Sequence, residues 1–392
     1  MKTIVAGGAG LTGQCAVRDL IRSKDVEKVL VADYAESSLE RLSSKLSSEN
    51  EKLEFKKVDV RNHDECSSLF KGYDVIINAV QYYFNLDVMA IALDAGINYL
   101  DFGGLYYTTL EQIAQFDDRF RAAGLLGIVG MGGQPGVSNL MVKYALESLD
   151  KANTVEILDG WRDLTKSDSP MYFTWSPQTF FDESSLEAIV LEKGKFLSKR
   201  PFSDPQTVKF PEPVGSVDVY VSLHSELATI PKSFRSYGIK NLVWKEGGAD
   251  FWKIKFLADL GLTSNDAIFI DGTEIVPRKF LLKLLESRNM IKIQEEVVPD
   301  DYEITRVIAK GSKNGKKKTV IVDAHFAAYK PWRVSCSQYN VGIPGSVAAQ
   351  MLISDLVEFP KGVLPAEEVF DPGKFFKELE KRKIKIRKRI IS

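Results

Sequence analysis

The chain has 392 residues, with 52 Lys and Arg against 53 Asp and Glu and a formal net charge of -1. That balance excludes a nucleic-acid role resting on surplus basic charge, and the length exceeds one ordinary compact core, so two domains are expected. No apolar run approaches the roughly 20 residues of a membrane helix, which excludes a helical membrane span.

The first stretch sets the organisation. Lys2-Thr3-Ile4-Val5-Ala6 is an apolar strand pattern that starts too early to leave room for a leader peptide. It breaks into Gly7-Gly8-Ala9-Gly10-Leu11-Thr12-Gly13 and resumes as a helix from Gln14 to Ile21. Gly8, Gly10 and Gly13 fill G-x-G-x-x-G between strand and helix. The first permits the turn, the second lets backbone approach a pyrophosphate, and the third permits close helix packing. Leu11 and Thr12 lie inside this loop, and the helix N-terminus attracts phosphate. A second apolar run, Lys28 to Ala32, ends in Asp33, about twenty residues after the last glycine, where a carboxylate takes the ribose hydroxyls of NAD. No Arg follows at once to hold a 2′-phosphate, so NAD is favoured, with NADP as the other possibility.

Strand and helix patterns then alternate, as in a doubly wound parallel sheet. A helix is expected over about Ser37–Leu46 and a strand from Leu53 to Val58, which places Asp59 and Val60 beside an adenine. Asn62 is a candidate cap for the helix that carries Cys66, Leu69 and Phe70. Tyr73 to Val80 is a buried strand whose end, Asn78-Ala79-Val80, is expected near the nicotinamide ribose. Tyr82 and Tyr83 follow and are either substrate-facing or core. A helix covers about Asn85–Ala95. The strand Ile97–Asp101 ends at Phe102-Gly103-Gly104, so Asp101 is a candidate to bind an amine, to accept a proton, or to cap a helix near Thr108. The strand Leu125–Gly130 ends in Met131-Gly132-Gly133-Gln134-Pro135-Gly136, a loop whose backbone can approach a ligand closely. A helix over about Ser138–Leu149 leads out of this domain.

Beyond residue 150 the strands become longer and alternating: Thr154–Trp161, Val217–Leu223, Lys240–Lys245, Tyr302–Lys310 and Thr319–Ala327. Asn314-Gly315 between the last two is a hairpin signal. Helices are expected over about Gln178–Leu191, Ala249–Leu260 and Arg278–Ser287, giving an α+β domain on an antiparallel or mixed sheet, one face of which is suited to a homodimer interface. Helices over Ser346–Leu356 and Pro372–Lys381 are expected to pack back on the first domain. The basic tail Lys381–Arg389 has the pattern of an edge strand or solvated tail. Three cysteines, at 15, 66 and 336, lack a short pairing spacing, which points to a reduced, cytoplasmic protein. With histidines only at 63, 224 and 325, no metal motif is available and no metal is expected.

The N-terminal GGAGLTG, the strand ending in Asn78-Ala79, the Asp101-Phe102-Gly103-Gly104 turn, the Gln134-Pro135-Gly136 loop and the tail KGVLPAEEV (Lys361–Val369) together resemble the saccharopine dehydrogenase-like oxidoreductases. Lysine 6-dehydrogenases resemble this chain at the Asp-x-Gly-Gly turn and over Phe256–Leu262; saccharopine reductases resemble it at Phe173-Thr174-Trp175-Ser176-Pro177. The resemblance implies a Rossmann domain built from both chain ends, 1–137 and 342–392, around an inserted substrate and dimerisation domain, 138–341. The chain departs from the pattern at Gln134, where many saccharopine reductases have Asp, and at Leu105 and Tyr106, where lysine dehydrogenases often have His.

An NAD-dependent enzyme that removes hydride from a carbon bearing nitrogen must also move a proton and neutralise the substrate carboxylate. The catalytic candidates are Asp101, Tyr82 and His224, the last because His224 and Glu226, two apart on a strand end, would face one side. Candidate substrate contacts are Gly104, Gln134, Pro135, Gly136, Ser176, Arg235 and Arg278, with Arg333 a further guanidinium suited to a carboxylate. The expected activity is that of a lysine 6-dehydrogenase or saccharopine dehydrogenase, in lysine and amino-acid metabolism. A carboxynorspermidine-type polyamine-precursor dehydrogenase is the alternative. A catalytically silent nucleotide sensor and an NADPH-linked carbonyl reductase complete the alternatives.

Overall fold

The computed structural model describes residues 1–46, 51–169, 171–291, 297–353 and 359–391. The chain divides into two compact units: Met1–Tyr144 with Ala228–Ser233 and Gln338–Lys385, and Ala145–Leu227 with Phe234–Ser337 and Ile386–Ser392. None of the described helices is long and apolar enough to cross a membrane.

The first unit begins with β1 (Lys2–Ala6), α1 (Gly13–Leu20), β2 (Lys28–Asp33), α2 (Glu36–Leu46), β3 (Leu53–Lys57), α3 (His63–Phe70) and β4 (Val75–Asn78). It continues through α4 (Asn85–Ala95), β5 (Asn98–Asp101), α5 (Leu105–Ala122), β6 (Leu126–Val129) and α6 (Val137–Leu146). The runs Ile4-Val5, Val29-Leu30-Val31 and Val75-Ile76-Ile77 are fully buried, as expected of parallel strands covered by helices on both faces. Gly96 ends α4 in the left-handed conformation, its N–H donating back to the last turn. The helix expected near Thr108 starts three residues earlier, so Gly104 stands at its cap and Asp101 does not.

The second unit comprises β7 (Lys151–Asp163), α7 (Pro177–Glu183), β8 (Ala188–Glu192), β9 (Lys195–Lys199), β10 (Gln206–Lys209), β11 (Ser216–Val221) and the start of α8 (Glu226–Ser233). It continues through β12 (Asn241–Gly248), α9 (Phe251–Asp259), the hairpin β13 (Ile268–Ile270) and β14 (Thr273–Ile275), α10 (Pro277–Ser287), β15 (Asp301–Lys313) and β16 (Lys316–Ala327). The helix expected to reach Leu191 stops at Glu183. Ala188-Ile189-Val190-Leu191 instead forms β8, because Lys193 and Gly194, both at positive φ, turn the chain back into β9. The Asn314-Gly315 turn forms the β15–β16 hairpin as expected, again with positive φ at both residues. β12 runs parallel to β7, whereas β15 is antiparallel to both β7 and β16, so the sheet is mixed.

The C-terminal elements are α11 (Cys336–Ile353), β17 (Gly362–Pro365), α12 (Ala366–Val369), α13 (Pro372–Lys381) and β18 (Lys385–Ile391). The expected end of α11 at Leu356 lies outside the described residues. β17 adds a seventh parallel strand beside β6, giving the order β17-β6-β5-β4-β1-β2-β3. Val363 joins the apolar core formed by Ile4, Leu30, Ile76, Met89, Tyr99 and Phe120. α13 opens on Asp371, which accepts the Lys374 N–H, followed by Pro372 in the first turn. β18 is the edge strand next to β16 in the second unit's sheet, so the last residues belong there and not to the first unit.

Candidate functional site

The strand order of the first unit reverses between β1 and β4, and the glycine loop lies at the carboxyl end of β1, at this switch point. Gly7, at φ +72, turns the chain; a Cβ there would lie 2.7 Å from the Ala79 carbonyl oxygen. The Gly7 and Gly8 N–H groups donate to Ala32 O at 2.8 and 3.3 Å. Gly13 opens α1, where a Cβ would meet Gly7 O at 2.4 Å, so this glycine is fixed by the turn itself. Gly10 is exposed, and a Cβ there would approach only Gly7 O, at 3.0 Å, among the described residues. Thr12 stands at the N-cap of α1 without a side-chain capping bond, and Leu11 beside it is half-buried. The Asp33 carboxylate is held by the Ala9 and Ala35 N–H groups at 3.1 and 3.0 Å.

Around that loop the expected nucleotide residues divide. Ala79 and Val80 are half-buried at the end of β4, with Ala79 N–H bonded to Ala6 O at 2.8 Å. Asn78 turns its side chain inward instead. It is 1% exposed and donates to Asn85 Oδ1 and the Tyr99 hydroxyl at 2.9 and 3.1 Å, so only its backbone borders the crevice. Val60 is half-buried, and Asp59 is gripped by Arg61, whose hydrogen bonds hold its carboxyl down to about 2. Tyr82 lies half-buried in a one-turn helix over Tyr82–Phe84, its ring centroid 4.2 Å from that of Tyr83.

Asp101 differs from its expected role. It is buried and accepts hydrogen bonds from Gln112 (2.6 Å), Tyr99 OH (2.8 Å) and the Gly103 and Gly130 N–H groups (2.8 Å each). Burial raises its pKa despite these donors. A carboxylate so enclosed pins the ends of β5 and β6 together and has no open position for a substrate proton. Gly104 is buried against Asn85, whose amide nitrogen would lie 2.9 Å from an added Cβ.

The Gln134-Pro135-Gly136 loop closes on itself, with Gly132 N–H bonded to Pro135 O at 2.8 Å. Pro135 packs on Gly130, and Gln134 is half-buried. Asn139 on α6 accepts the Gly136 N–H at 3.1 Å and donates to Glu367 at 2.9 Å and to Thr229 at 3.2 Å. Burial lifts the Glu367 carboxyl to about 7. Glu367 thus orients the residue that anchors the loop.

In the second unit, one face of the sheet carries an acidic row. Glu246 on β12 pairs in register with Asp159 on β7, and Asp159 with Thr305 on β15. Thr305 Oγ1 donates to Asp159 at 2.7 Å, and Glu303, two residues away, lies on the same face. Trp244 shares that face of β12, and the His224 ring stacks on it at 4.0 Å and 13°. Glu226 contacts His224 Nδ1. This pairing does not arise from strand alternation, because β11 ends at Val221 and Glu226 starts α8. Asp159, Glu183, His224, Glu226, Glu246 and Glu303 are all buried. Burial alone would push the imidazole down, but Glu226, with Glu183 and Glu246 beyond it, holds it up at about 9. Burial raises Glu183, Glu246 and Asp159; neighbouring carboxylates push the same way. The Glu246 Oε1 oxygen, the Ser225 hydroxyl and the Trp244 indole N–H have no hydrogen-bond partner among the described residues.

The expected carboxylate binders stand elsewhere. Arg278 is 2% exposed, paired with Asp182 and bonded to the Thr263 and Phe181 carbonyl oxygens, so its fork is occupied inside the unit. Arg235 and Arg333 are exposed. Ser176 caps α7 by accepting the Thr179 N–H at 3.3 Å.

Comparison with known proteins connects these observations. Residues 4–128 match the saccharopine dehydrogenase NADP binding domain, and residues 132–384 match the saccharopine dehydrogenase C-terminal domain. The chain belongs to the saccharopine dehydrogenase family. Among curated members, the carboxyaminopropylagmatine dehydrogenase of Synechocystis sp. is 22% identical over 393 residues, covering 97% of this chain and 95% of that protein. The carboxynorspermidine synthase of Vibrio alginolyticus is 24% identical over 400 residues, covering 95% and 93%. The fold matches saccharopine dehydrogenase (L-Glu forming) of Saccharomyces cerevisiae at a TM-score of 0.77 and 16% identity, over 100% of both chains. It also matches the homospermidine synthase of Legionella pneumophila, solved with NAD, at 0.67 and 12% identity, over 100% of this chain and 91% of that one.

A saccharopine dehydrogenase family member uses a pyridine nucleotide, and this chain fits one. Gly10 leaves a bare backbone face, the first turn of α1 is uncapped by Thr12, and Asp33 keeps further acceptor capacity on both oxygens. The chain is therefore an NAD(P)-dependent oxidoreductase of this family. Sequence reasoning missed Glu183, Glu246, Asp159, Glu303 and Trp244. The available signal was a charged residue at an inward position of an alternating strand, as at Asp159 in Glu156-Ile157-Leu158-Asp159.

Proposed function

We propose that this enzyme interconverts a secondary amine and an imine on a carboxylated polyamine, using NAD(H). The buried acidic row around His224 carries the proposal. Asp159, Glu183, Glu226, Glu246 and Glu303 converge there around one imidazole, and Glu246 Oε1, buried with no hydrogen-bond partner among the described residues, is where a substrate ammonium or amine would bind. Two curated relatives are named for carboxyaminopropylagmatine and carboxynorspermidine, which supports this substrate class. Saccharopine itself, with its three carboxylates, suits this row poorly, and the buried Arg278 and Arg306 are already paired to Asp182 and Asp323. Lysine, with a terminal ammonium, is the competing substrate.

The bound nicotinamide supplies the hydride acceptor or donor. His224, held by Glu226 at Nδ1 and stacked on Trp244, is the proton-transfer group for the substrate nitrogen. Glu246 and Glu183 place the cationic nitrogens. In the first unit, Tyr82 and the Gln134–Gly136 loop are the groups that would meet a bound nicotinamide, and Asp101 holds the Gly130 N–H that precedes the loop. Asp33 selects the ribose 2′-hydroxyl of NAD against a 2′-phosphate by charge.

Burial raises these carboxyl pKa values and an entering cation lowers them, so cation binding draws protons off the row. Titration calorimetry of the NAD complex with norspermidine, in buffers of different ionisation heat, is expected to show proton release on binding. Glu183→Gln with Glu246→Gln should abolish that release and weaken binding at least about tenfold. Binding without proton release, or unchanged in the double variant, would overturn the assignment of the acidic row.

A further inference from the structure

In the first unit the carboxyl ends of β2 and β3 lie side by side. Asp33 pairs in register with Lys57, and the Val58 N–H donates to Asp33 O at 2.9 Å. The residues that follow each strand therefore emerge at the edge where a nucleotide meets a parallel sheet. Tyr34, directly after Asp33, is 72% exposed, and its phenol is near enough to Arg61 to act on the guanidinium charge. The turn after β3 thus brings to the Asp33 corner an arginine that the residues directly after Asp33 do not supply.

Lys57 and Arg61 bring positive charge to this corner, and each is matched by a carboxylate. Lys57 pairs with Glu36, the first residue of α2, at 2.8 Å. Arg61 pairs with Asp59. Its Nε lies 2.9 and 3.0 Å from the two carboxylate oxygens, and its Nη2 lies 2.5 Å from Oδ2. Asp59 also accepts the Arg61 backbone N–H at 3.0 Å, a turn that brings the guanidinium back onto its own carboxylate. The fork that would suit a phosphate is already engaged side-on. Asp33, held by backbone N–H groups, adds a further negative charge.

We propose that Asp59 helps to set the nucleotide preference by withholding Arg61 from a 2′-phosphate. Asp33 opposes that phosphate by its own charge, and Asp59 occupies the guanidinium that would otherwise compensate. The inference rests on the assignment of Asp33 to the ribose hydroxyls of NAD. An exposed ion pair is weak taken alone, so Asp59 tunes the preference that Asp33 establishes.

Calorimetric titration of the full-length protein with NAD and with NADP, at one fixed ionic strength, tests this. The wild type is expected to prefer NAD. Arg61→Ala should leave the ratio of the two affinities unchanged, because the engaged guanidinium does not reach the phosphate. Asp59→Asn keeps an acceptor for the turn but removes the charge, and should raise the affinity for NADP relative to NAD about tenfold. Adding Arg61→Ala to Asp59→Asn should remove most of that gain. A wild type that prefers NAD, with a ratio indifferent to Asp59→Asn, would overturn this proposal alone. So would a gain that persists without Arg61, or an Arg61→Ala variant that has already lost NADP affinity. A wild type that prefers NADP would overturn the assignment of Asp33 and this proposal with it.

Discussion

Asp33 shows how much a single residue in a contiguous motif discloses. Its position at the end of β2 was visible as an acidic residue at the right distance from the glycines, and in the fold its oxygens take the Ala9 and Ala35 N–H groups and face the glycine loop. Asp33→Ala is expected to weaken NAD about 10- to 100-fold, the worth of charge-assisted hydrogen bonds to the ribose, and to narrow the preference over NADP; calorimetry with both nucleotides measures it. Asp101 marks the limit of such reasoning. A carboxylate at a strand end beside Gly-Gly fits a catalytic base equally well, and only the fold reveals that Gln112, Tyr99 and two backbone N–H groups already enclose it. Arg278 is a similar case. Arg278→Ala leaves Asp182 buried without its cation and should cost about 3–5 kcal/mol of stability by denaturant unfolding. This is a folding defect, separable from substrate binding by testing the folded fraction for nucleotide affinity.

Among the elements, those defined by local periodicity were legible: α4 falls on Asn85–Ala95 and α13 on Pro372–Lys381, with Gly96 and Asp371 marking a stop and a start. Elements whose identity depends on a remote partner were not. β8 is a strand because Leu191 meets Leu242 and the Lys193-Gly194 turn returns it to β9. β17 is a strand because β6 offers an edge. The acidic row likewise depends on register between β7, β12 and β15, which no local pattern encodes. The row has a thermodynamic signature. His224 ordinarily titrates near 6.5 and is held up at about 9. The stability it contributes is complete below the ordinary value and is lost as pH rises through about 9. Asp159, Glu183 and Glu246, raised by burial, act in the same direction, since the folded state keeps protons that the unfolded chain releases. Thermal unfolding should therefore show stability falling toward alkaline pH, and Glu226→Gln should move the loss to lower pH. An unchanged midpoint in that variant would contradict the pairing.

For the whole molecule, the central structural point is that Met1–Tyr144 and Gln338–Lys385, far apart in the chain, join in the unit that carries the nucleotide-binding domain match. Asp19 on α1 accepts Arg382 at 2.7 Å, Ser346 at 2.7 Å and Gln350 at 2.9 Å, so α11 and the end of α13 hold the helix whose N-terminus would meet the phosphates of a bound nucleotide. Gly342 on α11 has no room for a Cβ, which would lie 2.5 Å from Thr12 O. Arg382→Ala should cost about 1.5–3 kcal/mol, as for a hydrogen bond to a charged group, and should loosen NAD binding from a distance. The return of the C-terminal helices was expected from their amphipathic pattern. The crossing of β18 to the other unit's sheet was not, because a basic strand with alternating isoleucines fits any exposed edge.

The measurement that tests the account most directly is nucleotide reduction, followed by the absorbance of reduced nicotinamide, with carboxynorspermidine, saccharopine and lysine offered separately with NAD or NADP. The account predicts turnover with carboxynorspermidine and NAD, reduced at least about 100-fold by Glu183→Gln with Glu246→Gln. Turnover with saccharopine in preference to the carboxylated polyamine, or activity indifferent to the two substitutions, would contradict it.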